Sequence, residues 1–338
     1  MFAKLLWTLP LLFSLTVNAD VVILDNGDRI SGTVISKTGS HLLFKTGYAG
    51  NIRINWKNIS TIKIKKPVQV MLKNKTTIEQ ANIDSPASKQ IEINSTNISN
   101  PVNVAMEEIL YINPPVEVSG KGIKVKGRVN AGLSIASGNS ENESYNLDAE
   151  VIIRSKDNRF TVGGKLYRAS DESVDTEDKT SVYLKYDHFL SQKRYIYGHT
   201  SFARDRFKDQ KLKSTIGAGY GHQFFESDDR NMSLEAGINY VNDDFYITED
   251  TDYIAGRWAL KYDNWFYQKK LQFFHQHEGL IDFDNTDNLN INTQTGLRFP
   301  FLSGMNASIQ LNADWDGDTP IGTKSTDRKL LFNLGYTW

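Results

Sequence analysis

The chain has 338 residues, 39 % of them hydrophobic, with 39 basic against 40 acidic side chains and no cysteine. A formal charge of -1 gives no support for nucleic-acid binding, and the lack of cysteine excludes disulfides, thiolate metal sites and cysteine nucleophiles. The single long apolar run lies at the extreme N-terminus, which excludes a multi-helix membrane protein.

Residues 1–19, MFAKLLWTLPLLFSLTVNA, read as a signal peptide. Lys4 makes a short positive region, residues 5–15 are apolar, and Val17-Asn18-Ala19 puts small residues at the cleavage positions. Cleavage before Asp20 and export are expected.

Residues 20–66 carry short alternations (Val22/Leu24, Leu42/Phe44, Ile52/Ile54, Ile62/Ile64) separated by Asn26-Gly27, Thr38-Gly39 and Ala49-Gly50. Asn-Gly is a hairpin signal because both residues tolerate positive φ. Several short strands of this kind predict a small SH3-like or Sm-like periplasmic β module. The pattern recurs loosely over residues 67–119. VQVMLKN follows VVILDNG, residues 91–93 follow 42–44, and residues 109–112 follow 59–62. This stretch reads as a second half-module and linker, while the polar composition of 74–104 suits a loop equally well. Asn113-Pro114-Pro115 marks a boundary. The open strand edges of such a module offer a site for a periplasmic partner.

From residue 120 the chain changes texture. In 124–135, Val125, Val129, Ala131, Leu133 and Ile135 oppose Lys124, Lys126, Arg128, Asn130 and Ser134. Similar segments follow at 145–154, 159–169, 180–189, 194–205, 211–224, 231–242, 252–264, 270–281, 288–299, 304–315 and 328–338. Strands of about ten residues match the 9–11 that a tilted strand needs to cross a bilayer. The fold expected is therefore all-β: a twelve-stranded antiparallel transmembrane β-barrel over residues 120–338, preceded by the small module. Short turns (155–158, 190–193, 226–230, 300–303) alternate with longer polar connections (137–143, 170–179, 243–251, 282–287, 316–327). This layout puts both chain ends in the periplasm and the acidic loops outside the cell. Tyr262, Trp265, Phe266, Tyr267, Trp258 and Trp315 are candidates for interfacial girdles.

Alternation sends Lys124, Lys126, Arg128, Asp148, Glu150, Lys165, Lys185, Asp187, Glu235, Arg257, Lys261, Arg298 and Asp314 into the lumen, with Arg204 and Arg206 expected to join them. Both signs are abundant, which argues against a strongly ion-selective pore. For an enzyme, His199, His222, His275 and His277 stand near Ser181, Ser201, Ser214 and Ser233. No register of nucleophile, base and orienting acid emerges, and no cofactor or metal site is expected. His275 and His277 share a strand face with Phe273, which suits surface exposure better than metal binding.

The NGDRISGTV and YAGNIRINW segments, and Tyr197, Asp205-Arg206-Phe207 and Gly217-Ala218-Gly219-Tyr220-Gly221 in the barrel, resemble the bacterial family of salt-induced outer membrane proteins, domain of unknown function 481. The barrel domain of that family would cover about residues 120–338, the glycine-rich opening is similar to a module often found before it, and the resemblance implies fold and location without a mechanism. The partners it implies are outer-membrane lipid, lipopolysaccharide and, during biogenesis, the barrel-assembly machinery. Two readings stay open: a narrow conduit for small polar solutes linked to envelope or salt stress, and a closed structural envelope protein whose module binds a partner.

In the last segment Leu330, Phe332, Leu334, Tyr336 and Trp338 alternate with polar residues, and Phe332, Leu334, Tyr336 and Trp338 read as an assembly signal. Deleting Trp338 is expected to reduce sharply the heat-modifiable barrel recovered in outer-membrane fractions. An unchanged yield counts against that reading.

Overall fold

The computed structural model describes residues 19–136, 142–172, 174–317 and 325–338, so nearly all of the expected signal peptide lies outside the described residues. Two compact units divide at Pro115/Val116.

The first unit is a nine-stranded sheet. Its strands are β1 (Asp20–Leu24), β2 (Arg29–Thr38), β3 (His41–Thr46), β4 (Gly50–Asn55), β5 (Ile59–Leu72), β6 (Thr77–Asp84), β7 (Gln90–Ser95), β8 (Val102–Ala105) and β9 (Ile109–Ile112). The strand order β4-β3-β2-β1-β5-β6-β7-β8, with β9 pairing β2 and β5, shows a duplication. In the first half, β1 pairs β2 and the start of β5, and a 3-10 turn at Trp56–Asn58 leads into β5. In the second half, the end of β5 pairs β6 and β9, and a 3-10 turn at Met106–Glu108 leads into β9. Even the turn bonds repeat: Leu24 N–H donates to Asp28 O at 2.9 Å, and Leu72 N–H to Thr76 O at 2.9 Å.

The boundary expected between residues 66 and 67 falls inside β5 and is corrected here. One continuous strand closes the first half and opens the second, so the chain has no break there. The second copy was faint in sequence because Lys75 occupies the left-handed position (φ 69°) that Gly27 fills in the first (φ 88°). Each half also grips the other. Ile64 pairs with Ile83 and Lys37 with Ile112. Lys37 Nζ donates to Ile109 O (2.5 Å) and Leu110 O (2.9 Å), while Lys89 Nζ donates to Lys57 O and Ile59 O at 2.7 Å each. Between these contacts lies one apolar core holding Val22, Leu42, Phe44, Ile62, Ile91 and Ile112, all 0–1 % exposed.

The second unit opens with a helical turn at Val116–Ser119 and continues as a closed antiparallel barrel. Its strands are β10 (Lys124–Ala136), β11 (Asn142–Arg154), β12 (Asn158–Asp171), β13 (Val174–Phe189), β14 (Arg194–Asp205), β15 (Gln210–Glu226), β16 (Arg230–Phe245), β17 (Thr251–Phe266), β18 (Leu271–Asp282), β19 (Leu289–Pro300), β20 (Met305–Asp316) and β21 (Thr326–Thr337). The seam is the β10–β21 pairing from Arg128↔Thr337 to Ala131↔Leu334. Beside it, Gly127 and Trp338 exchange two backbone hydrogen bonds at 3.1 Å each. The Trp338 ring fills the space where a Cβ on Gly127 would stand.

Several strands outrun their expected limits at the end with the longer connections. The polar stretch 170–179, expected as a loop, belongs largely to β12 and β13. Its charges are cross-strand partners, Arg168 facing Asp178 (3.4 Å), so the ladder continues past the apolar belt.

Lys37 is 5 % exposed, and burial, reinforced by Lys73, pushes its ammonium pKa down to about 8. The unfolded chain binds more protons between that value and the free lysine value of about 10.4, so stability rises with pH across this window and is flat below it. The slope approaches about 1.4 kcal/mol per pH unit. Pulse proteolysis of the module in the intact chain, across denaturant at pH 7.5 to 10, measures it. In Lys37→Met the rise disappears; an equal rise in that variant assigns it to other groups.

Candidate functional site: the barrel lumen

Alternate residues of β10–β21 point outward and are apolar, among them Leu147, Val162, Leu184, Ile216, Ile238, Leu311 and Leu334, each at least 46 % exposed. The other set points inward and is polar: Asn130, Glu150, Asp187, Gln223, Glu235, Asn239, Arg257, Arg298 and Asn333 are all 8 % exposed or less. Closure leaves no free edge, so every strand satisfies its backbone laterally and only the side chains have to match lipid outside and water inside.

Glycines shape the inner wall. Tyr195 pairs with Gly221, and Tyr183 with Gly163. In each pair the ring occupies the space a Cβ on the glycine would take. Gly219 and Gly237 give the same room to the Tyr197 hydroxyl. The Gly217-Ala218-Gly219-Tyr220-Gly221 segment therefore turns three bare positions inward, beneath His199, Tyr197 and Tyr195 of β14. Flattened against the wall, the tyrosines aim hydroxyls at acids: Tyr183 donates to Glu150 (2.7 Å) and Tyr195 to Glu235 (2.8 Å).

Ion pairs cross the lumen at three heights. In the middle, Lys261 on β17 reaches Glu150 on β11 (3.0 Å), and these strands stand six apart in a ring of twelve. Arg128 supports the same carboxylate (3.4 Å) and binds Asp148 (2.7 Å). Near the short turns, Arg154 on β11 forks onto Glu226 on β15 (3.0 and 3.1 Å) and lies over the Phe189 ring (3.6 Å). At the opposite end Lys179 on β13 approaches Asp314 on β20 (3.7 Å), and Lys329 on β21 bonds Glu177 on β13. A further cluster lines one wall. Arg257 joins Glu278 (2.7 Å), Tyr197 (2.9 Å) and Glu235 (3.0 Å), while Lys185 bonds Glu235 and Asp187.

The expected lumen set is thus distributed as follows. Arg128, Asp148, Glu150, Lys185, Asp187, Glu235, Arg257, Lys261 and Asp314 enter these pairs. Lys124 and Lys126 both meet Asp228 at the short-turn mouth (2.7 and 3.6 Å). Lys165 and Arg298 form no ion pair among the described residues, and Lys165 is exposed. Arg204 is corrected: it shares the outer face with Ile196 and Phe202 and pairs with Asp178 (3.1 Å), because the parity of β14 follows its buried tyrosines. Arg206 is also corrected, since it lies in a 3-10 turn beyond β14 and is exposed. His199 faces inward onto Asn239 (3.0 Å), and His222 packs outward against Phe224. Phe332, Leu334 and Tyr336 stand on the outer face of β21 and Trp338 follows it, each at least 50 % exposed.

Arg154, Arg159, Glu226, Glu278 and the tyrosines 183, 195 and 197 were missed as lumen residues. The glycine spacing 217/219/221 was the available signal, since a bare inward position predicts a large side chain beside it.

The family model described as "Protein of unknown function, DUF481" matches residues 129–338. The chain belongs to this family. It is similar to the uncharacterized protein YdiY of Escherichia coli (strain K12), at 22 % identity over 218 residues, which cover 63 % of this chain and 82 % of YdiY. Among solved structures, the translocator domain of autotransporter NalP from Neisseria meningitidis is 15 % identical with a TM-score of 0.36, covering 66 % of this chain and 90 % of that one. The NanC porin is 9 % identical with a TM-score of 0.40, covering 63 % and 98 %. The DUF481 barrel is an outer-membrane barrel, and the module before it suits the periplasm.

Gly221→Val drives a side chain into the Tyr195 ring, which is fully buried. Overpacking of this kind costs about 1–3 kcal/mol. The heat-modifiable shift of the refolded barrel is expected at a lower temperature than in wild type, with Tyr195→Ala restoring part of the loss.

Proposed function

We propose that the DUF481 barrel is a narrow outer-membrane channel for small polar solutes, constricted at rest by ion pairs that cross its lumen. The observation that carries this reading is the Glu150–Lys261 pair, which joins opposite walls at 3.0 Å. A charge pair is poor filling for a permanent plug, because taking two ions out of water costs more than packing apolar side chains of similar volume. Here the pair stays hydrated on its lysine side, since Lys261 is 34 % exposed, and elsewhere in the lumen Glu278 is 43 % exposed and Lys165 is exposed as well. Water therefore has polar walls to follow. Paired charges of both signs favour small polar solutes over strong selection for one ion.

The proposal extends to a role in envelope or salt stress, and to lipopolysaccharide and the barrel-assembly machinery as partners. In the periplasm, the duplicated module reads as two interlocked SH3-like halves whose outer strands β4 and β8 are available to a partner strand.

Planar-bilayer recordings of the purified, refolded chain test the channel. Stepwise openings are expected in wild type, with severalfold larger conductance in Lys261→Ala, which leaves Glu150 neutralised by Arg128. Silence in both proteins, with the heat-modifiable barrel intact, replaces the channel by the closed structural reading.

A further inference from the structure

The lipid-facing belt carries a polar cluster on two adjacent strands that the lumen does not explain. On the outer face of β18, His275 and His277 stand mid-strand between Phe273 and Ile281. Directly across on β19 are Thr295 and Thr293, between Leu297 and Ile291. The imidazoles stack at 6.4 Å between centroids and 11° between planes. His275 Nδ1 meets Thr295 Oγ1 at 2.8 Å, and His277 Nδ1 meets Thr293 Oγ1 at 3.1 Å. Trp258 Nε1 donates to His277 Nε2 at 3.0 Å.

These contacts leave hydrogen-bonding capacity over. Because Trp258 donates to Nε2, His277 donates through Nδ1 to Thr293, whose hydroxyl hydrogen then points elsewhere. Among the described residues His275 Nε2 meets no partner. If Thr295 donates to His275 Nδ1, Nε2 carries a free donor and Thr295 Oγ1 a free acceptor. If His275 donates instead, Nε2 is the free acceptor and the Thr295 hydroxyl the free donor. In both tautomers one donor and one acceptor remain on the His275–Thr295 pair, beside the hydroxyl hydrogen of Thr293. Acyl chains offer neither, so facing lipid this patch is left unsatisfied in hydrocarbon.

We propose that the His275–His277–Thr293–Thr295 patch is a docking surface for a second copy of this chain, forming a two-fold dimer within the membrane. Within the patch the His275–Thr295 pair, with one free donor beside one free acceptor, complements itself when turned by a two-fold axis. Two copies inserted in the same sense present it at the same depth, so the axis runs along the membrane normal. A two-fold interface puts the same patch on both partners, and interhelical and interstrand polar contacts are favoured where the alternative is hydrocarbon. On β20, the neighbouring strand of the same barrel, Ala313 opposite Thr293 leaves room for a second copy to approach closely. The proposal is independent of whether the lumen conducts.

The chain has no cysteine, so a single introduced thiol reports unambiguously. Thr293→Cys and Leu184→Cys, the latter on the far side of the belt on β13 and 47 % exposed, are refolded separately into vesicles of outer-membrane lipid and treated with a short bis-maleimide. Severalfold more covalent dimer from Thr293→Cys than from Leu184→Cys is expected. Adding His275→Leu and His277→Leu to Thr293→Cys is expected to bring the yield down to the Leu184→Cys level while heat-modifiability persists. Equal yields from the two thiols, or a dimer that survives the histidine substitutions, overturns the proposal. A dimer abolished by EDTA also overturns it, because the patch would then be held by a bridging metal. If the triple variant fails to refold, wild type and Thr293→Cys are compared by native mass spectrometry; a monomer in both overturns it.

Discussion

Glu150 and Lys261 meet from opposite walls of the barrel, and that reach sets the scale of everything inside it. In a twelve-stranded ring the lumen is too wide for neighbouring side chains to fill and narrow enough for one glutamate and one lysine to span. Such a pair persists only if the carboxylate is satisfied on every side. Arg128 and the Tyr183 hydroxyl supply the remaining contacts, and Tyr183 can aim at Glu150 because Gly163 leaves space for its ring. The bare glycines, the flattened tyrosines and the crossing ion pairs therefore form one dependent set. Adding a Cβ at a glycine moves a ring, which withdraws a hydroxyl from the acid holding two walls together.

The outer surface obeys a simpler constraint, and its exception is informative. A closed sheet satisfies its own backbone, so each outward position need only be apolar. Aliphatic and aromatic alternation on all twelve strands would meet that demand, yet two adjacent strands carry histidine and threonine at mid-height. Polar groups there are stable when each finds a partner, and Trp258 provides one of those partners from β17.

The module follows a different economy. Lacking a large core, each half of the duplication completes the other by exchanging strand edges and lysine contacts. Lys37 and Lys89 perform the same task from opposite halves, donating to carbonyls where a 3-10 turn releases its chain into the last strand. The cost is a buried ammonium at Lys37, which the carbonyls of the partner half and the Trp56 ring beneath it (5.3 Å) offset.

Period-two alternation was readable over residues 124–338 because lipid outside and water inside impose opposite demands on successive residues, and this determined strand number, the faces of most charges and the outer-membrane location. The twin pattern of the module was readable at Val68–Leu72, Ile91 and Ile109, and obscured where Lys75 took a turn position that glycine usually marks. Only the tertiary structure decided which charges meet. Arg154 and Glu226 lie 72 residues apart, Glu150 and Lys261 111, and nothing local links them. It also decided that Arg204 faces outward, that β5 serves both halves of the module, and that His275 and His277 sit at mid-belt rather than at a rim. Alternation specifies a face; partners and depth depend on ring closure and strand register, which arise from pairings between distant segments of the chain.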